Sequence, residues 1–340
     1  MIKASRISAL ALGILLLLGS WPLASAQEMV PSTVYRVSYL DRPAPMSTSS
    51  FRTRLDAIER WHDDVSYRTV AVRFTAHNVL HAITQPFFIK DGVKHYIWIP
   101  RAHSDSWPPP TGMIGGVSPP GHGARGVGGT GWWAVNGSIG AQAGVAIHEI
   151  GHALGLPHAG KWKCRTPPLG EPCNWTEYGH PYAAMGGVSA RHHTAMHKQQ
   201  LGWVREANGS LLVLDARGPF VATIVSLDPY HRAGGTKALL VKLPKIALTH
   251  EPWWYWRLDH RPIYLEYRTM QGGDTPAPQA DPAKVPPAGV VVSFGDLYVA
   301  TLAAGDTMVL GPVRITRTND DDGVAQVAVT SSEPHPLLRQ

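Results

Sequence analysis

The chain has 340 residues, room for two ordinary domains, and with 44% hydrophobic against 16% charged residues it is too apolar to be disordered. Its 34 glycines and 29 prolines, spread through the sequence, exclude a long-helix protein. The formal charge is +6, and the densest basic stretch, Lys161-Trp-Lys163-Cys-Arg165, is too short to track a phosphate backbone, so nucleic acid is not an expected partner.

The first segment carries Lys3 and Arg6, then an apolar run from Ala9 to Gly19, then Ala24-Ser25-Ala26. A positive start, a short apolar centre and a small-x-small end describe a secretory signal peptide over residues 1–26. An uncleaved membrane span is the alternative, but a run of about 11 residues falls short of the roughly 20 that cross a bilayer. Cleavage near Ala26 would leave an exported chain, extracellular or periplasmic, with no membrane attachment and a net charge lowered by two to +4.

Val34–Leu40 mixes β-branched, aromatic and polar residues as a strand does. Ser47–Asp63 then sets Phe51, Leu55, Ile58 and Trp61 at helical spacing. Thr69–Phe74 and His95–Ile99 read as further strands. From Pro108 to Gly131, 14 of 24 residues are Gly or Pro, which predicts a long surface loop. Trp132–Val135 restores a short strand, and Ser138–Leu154 follows as a helix ended by Gly155. Beyond Trp203, seven short β-type runs (Leu211–Leu214, Phe220–Val225, Ala238–Leu243, Trp253–Arg257, Ile263–Tyr267, Val290–Phe294 and Val313–Arg317) suggest an antiparallel sandwich. Cys164 and Cys173 are nine positions apart. In an oxidising compartment a disulfide closing that loop is expected, stabilising by about 2–3 kcal/mol; C-x8-C fits no common zinc arrangement.

Chemistry concentrates in His148-Glu149-Ile-Gly-His152-Ala-Leu-Gly155-Leu-Pro-His158. Residues four apart share a helical face, so His148 and His152 can present ring nitrogens to one ion. Gly155 permits a positive φ and a sharp turn that returns His158 as a third ligand. Three neutral imidazoles on one Zn²⁺ leave a position for water, whose pKa falls from 15.7 towards about 7. Glu149, one position after the first ligand, is placed to take that water's proton as it attacks a peptide carbonyl and to deliver it to the leaving amine.

The motif from His148 to His158 resembles that of the metzincin metallopeptidases. Met185, in Tyr182-Ala-Ala-Met185-Gly186, sits where their Met-turn falls, and the wider pattern is closest to the gametolysin-like family. Glu177-Tyr178-Gly179-His-Pro-Tyr-Ala-Ala-Met185-Gly186 is similar to that family's Met-turn segment. Ser189-Ala190 to Lys198-Gln-Gln-Leu201-Gly202-Trp203 is similar to its following helix, and Leu265-Glu-Tyr-Arg268 to a strand of its C-terminal β-domain. The resemblance implies zinc on His148, His152 and His158, Glu149 as the catalytic base, and Met185 as a structural floor. It also implies that Trp132–Asn136 is the edge strand that pairs with extended substrate. The pattern departs from the family at two points: His180 stands where the Met-turn often has an acidic residue, and Gly187 where some metzincins add a tyrosine ligand. Tyr178 and Tyr182 are candidate transition-state donors, with packing beside the turn as the alternative.

His193 and His197 have no paired base and are expected on a solvated helical face. Asn319-Asp-Asp-Asp-Gly323 reads as a hairpin turn rather than a calcium loop, and Trp253-Trp-Tyr-Trp256 as core rather than ligand grip. The expected architecture is α+β: a signal peptide (1–26), a metzincin-like catalytic domain with a mixed twisted sheet and active-site helix (27–207), an all-β sandwich (208–332) and a tail (333–340). The expected function is that of a monomeric, secreted zinc endopeptidase acting on extended polypeptide. Two alternatives stay open: a non-catalytic adhesin stabilised by zinc, and a zinc hydrolase of a cell-wall amide.

Overall fold

A computed structural model of the chain describes residues 27–39, 43–44, 46–82, 87–90, 93–96, 113–118, 126–137, 143–166, 170–186, 191–215, 220–230, 233–242, 262–271, 285–310, 313–321 and 323–331, some of them by backbone alone. The signal segment, the Trp253–Trp256 run and the tail lie outside them. The architecture is α+β, with three α-helices and eighteen strands among the described residues, and no helix there is long and apolar enough to cross a membrane.

The N-terminal half is built on a five-stranded sheet in the order β2-β1-β5-β7-β6. Its strands are β1 (Glu28–Tyr39), β2 (Val70–Ala82), β5 (Met113–Ser118), β6 (Gly126–Gly129) and β7 (Trp132–Asn136). All neighbours run parallel except β6, which pairs antiparallel with β7. A separate hairpin joins β3 (Phe87–Lys90) to β4 (Val93–Tyr96). Helix α1 (Thr48–Val65) starts where Ser47 caps it, its hydroxyl accepting from the Ser50 amide at 3.2 Å. Phe51, Leu55 and Ile58, spaced three and four apart, are buried in one core with Val34, Val72, Phe74 and Trp133. Full burial of such side chains contributes about 1.5–3 kcal/mol each.

Two strands occupy the stretch expected to be a loop over 108–131. Glycine here serves close approach rather than turning. A β-carbon on Gly115 would stand 2.2 Å from Cε2 of the buried Trp133, so only glycine lets the indole lie flat on β5. Trp132–Asn136 is a strand, but an interior one, bonded to β5 and β6; the edge is β6. The edge assignment therefore moves to Gly126–Gly129.

In the C-terminal half two sheets share one hydrophobic core. The larger runs β10-β12-β13-β14-β15-β8-β9, from β8 (Lys161–Thr166), β9 (Gly170–Thr176), β10 (Leu211–Asp215), β12 (Ala238–Lys242), β13 (Ile263–Arg268), β14 (Gly289–Phe294) and β15 (Leu297–Leu302). The smaller runs β11-β18-β17-β16, from β11 (Phe220–Leu227), β16 (Thr307–Leu310), β17 (Val313–Asp321) and β18 (Val324–Ser331). Asn319–Asp321 close β17, and Gly323, at φ 75°, turns the chain into β18. The sandwich is not wholly antiparallel, since β10–β12 and β15–β8 are parallel pairs. The β8–β9 ribbon precedes residue 207 yet is hydrogen-bonded into the larger sheet, with Trp162 inside the sandwich core, so that sheet crosses the boundary expected at 207.

Candidate metal centre

Helix α2 (Ala143–Ala153) lies against β6 and β7 and carries His148, Glu149 and His152. It ends in a Schellman turn: the Leu156 amide donates to the Gly151 carbonyl and the Gly155 amide to that of His152, both at 2.9 Å, with Gly155 at φ 88°. A side chain is disfavoured at that φ, which is why glycine stands there. The turn sends the chain back past the helix end and sets His158 beside His152.

One ligand atom from each of His148, His152 and His158 lies within 4.8 Å of the others, a cluster able to hold a metal ion. The Nε2 atoms of His152 and His158 are 2.9 Å apart. Each Nδ1 faces outward to an acceptor: His148 to the Ala184 carbonyl at 3.0 Å, His152 to the Leu156 carbonyl at 2.9 Å, His158 to Oε1 of Glu177 at 2.6 Å. With the proton on each Nδ1, all three Nε2 lone pairs turn inward. A tetrahedral zinc with bonds of about 2.0–2.1 Å sets its ligand nitrogens about 3.3 Å apart, within the span these rings cover, so the donor set fits that ion. Burial drives His148 down to about 4 and lowers His152, which favours the neutral form a metal requires.

Glu149 is 7% exposed, and loss of solvation alone pushes its carboxyl up to about 8. Its wall is β6. A β-carbon on Gly126 would stand 2.7 Å from Glu149 Oε1, and one on Gly128 2.5 Å from the Glu149 carbonyl oxygen and 2.9 Å from His152 Cβ. The edge strand thus lies with bare backbone against both the Glu149 side chain and the Cβ of His152. Met185, in the 3-10 turn Ala184–Gly186, is fully buried against Gly151, where a β-carbon would meet its sulfur at 2.3 Å. The same turn supplies the Ala184 carbonyl that orients His148.

Tyr178 holds a left-handed φ of 57°, is half-exposed, and sets its ring 3.9 Å from that of His158 and 5.7 Å from that of His148. Tyr182 is fully buried, donating its hydroxyl to the Pro287 carbonyl at 2.6 Å and meeting Thr301 Oγ1 at 2.7 Å, so it packs against the sandwich. His180 reaches Ser293 of β14 at 3.2 Å. The Cys164 and Cys173 side chains lie outside the described residues; their backbones face each other across β8 and β9, the register a cross-strand bridge requires. Position 187 lies outside as well.

His193 and His197 are not on a solvated face. Both are fully buried, as is His62, and no ring nitrogen of the three has a hydrogen-bond partner among the described residues. The reason is the setting of α3 (Ala195–Gln200), a helix of one and a half turns: Trp61 and Trp203 close over His193 at 5.5 and 5.6 Å. The contacts that spacing does not show are those of Glu177, 19 positions from its imidazole, and of the β6 glycines.

No family model and no curated protein matches the chain. One solved structure it resembles, described as the structure of a chaperone-substrate complex, does so over 50% of this chain and 30% of its own length, at 14% identity and a TM-score of 0.32. That likeness is too slight to bear on fold or function.

Proposed function

We propose that this chain is a secreted zinc-dependent endopeptidase of the metzincin type, closest to the gametolysin-like enzymes. The observation that carries the reading is the convergence of three inward-facing imidazoles beside a buried carboxylate on the same helix. His148, His152 and His158 hold the zinc. When bound, that ion supplies a Lewis acid for the scissile carbonyl and lowers the pKa of water near it. A divalent cation bound beside it would offset the loss of solvation and keep Glu149 ionised, so that it would accept the proton of the attacking water and return it to the leaving amine; its position against β6 keeps the carboxylate fixed between the two transfers. The free edge of β6, which the five-stranded sheet leaves unpaired among the described residues, offers backbone groups to an extended polypeptide laid alongside. The leader at residues 1–26 and the cross-strand cysteine pair both favour an oxidising, extracytoplasmic location.

Cleavage of casein or gelatin, followed with and without chelator, tests the reading together with Glu149→Ala. The native chain is expected to cleave and to stop when stripped of metal. Glu149→Ala is expected to keep its zinc while losing at least 10²-fold in kcat, the range a positioned general base supplies. Unchanged proteolysis in that variant removes the mechanism; zinc uptake with no cleavage by the native chain favours the adhesin.

A further inference from the structure

We propose that Glu177 is a positioning residue of this metal centre, fixing the tautomer and aim of His158, and that the C-terminal sandwich holds it in place. The inference rests on reading the three histidines as metal ligands and deepens it.

His148 and His152 are oriented by backbone carbonyls, at Ala184 and Leu156. His158 alone is oriented by a side chain, at 2.6 Å. A carboxylate acceptor requires the proton on Nδ1, so the Nε2 lone pair faces His152 and the shared centre. Such charge-assisted bonds are roughly twice as strong as neutral ones. The carboxylate also makes the imidazole a better donor, and it brings negative charge to a centre whose three neutral ligands leave a divalent cation uncompensated. A plain surface ion pair would contribute little, since Glu177 is half-exposed. What distinguishes this pair is its placement: the other ring nitrogen, Nε2, faces His152 Nε2 at 2.9 Å, lone pair towards lone pair, across the point where a cation would sit.

The sandwich delivers this carboxylate. Glu177 is the first residue past β9, and the ribbon it ends is joined to β15 where the Tyr298 amide donates to the Gly160 carbonyl at 3.0 Å. Gly160 passes beneath Trp175 and Leu297, where a β-carbon would stand 2.4 and 2.7 Å away. Trp162 enters the sandwich core, and the ring of Tyr178 lies against His158 directly after Glu177. Two ligands therefore ride on a helix of the N-terminal half, and the third is oriented from a strand of the C-terminal sheet.

Zn²⁺ titration of the metal-stripped full chain against a chromophoric chelator tests this, with the native chain and Glu177→Gln compared. Glutamine keeps the size and loses the charge. The variant is expected to bind Zn²⁺ about 10–100-fold more weakly, while the thermal midpoint of the metal-free chain stays where it was. Equal affinity in the two chains overturns the inference alone. A fall in the metal-free midpoint large enough to account for the lost affinity also overturns it, by making Glu177 structural. A native chain that takes up no Zn²⁺ overturns the metal reading and this inference with it.

Discussion

His62, His193 and His197 are fully buried, and His193 reaches the underside of α2, its Cε1 3.4 Å from where a β-carbon on Gly151 would lie. Loss of solvation holds His62 and His197 down at about 3 and His193 well below its ordinary value; Asp63 beside His62 works the other way. His193 also faces His197, His62, Lys198 and His148, all of which disfavour its proton. The unfolded chain takes up protons on these rings as pH falls through 6.5, while the fold refuses them on His62 and His197 until about 3, so stability is lost across that window and does not depend on these groups above it. Replacing His62 by Phe in the metal-stripped chain is expected to flatten urea-unfolding stability between pH 6 and 4, by up to one proton's worth, about 1.4 kcal/mol per pH unit. Parallel curves for the two chains would show that the fold protonates His62 after all.

The contact between β6 and α2 decides how close the edge strand comes to Glu149. Gly128→Ala puts a methyl 2.5 Å from the Glu149 carbonyl oxygen, which is backbone and cannot swing aside. Helix or strand must shift, at a cost of about 1–3 kcal/mol, and the displacement is expected to lower casein cleavage at least tenfold; unchanged cleavage would detach β6 from the site. The helix that carries His148 and His152 was legible because an i, i+4 pair, a glycine and a third histidine each state a local geometric demand, met here by α2 and its Schellman turn. Helix α1 was legible for the same reason, through Phe51, Leu55 and Ile58. The glycines of β5 and β6 misled because glycine in a strand and glycine in a turn look alike until the neighbour that needs the space, Trp133 or Glu149, is known. His193 and His197 misled because the helix begins only at Ala195, after its cap Thr194, so His193 lies outside it and the i, i+4 spacing defines no shared helical face. Glu177 meets His158 only because the β8–β9 ribbon folds back, a contact with no local signal.

The two halves of the molecule are joined by more than a linker. Besides the ribbon, Lys198 of α3 is buried with its ammonium 4.1 Å from the centre of the Tyr67 ring and 3.9 Å from that of Tyr230, donating to the Tyr67 hydroxyl at 2.8 Å. Arg268 of β13 covers Tyr230 at 3.9 Å and donates to the His193 carbonyl at 3.0 Å. Tyr182, from the segment that also carries Met185, is bonded to Pro287 and Thr301. Desolvated cation–π contacts contribute about 2 kcal/mol each, and a buried partner left unpaired costs about 1–3 kcal/mol, so neither half separates cheaply from the other. If the histidine cluster holds a metal as proposed, with its ligands on one half and an orienting carboxylate on the other, metal binding is tied to the folding of both. Calorimetry is therefore expected to show one transition, which Zn²⁺ moves upward as a whole; a thousandfold excess over Kd adds about 4 kcal/mol to the folded state. Two separate transitions, with only the lower one sensitive to Zn²⁺, would mean that the sandwich folds without regard to the metal and that the ribbon is an ornament of its sheet rather than a strut of the site.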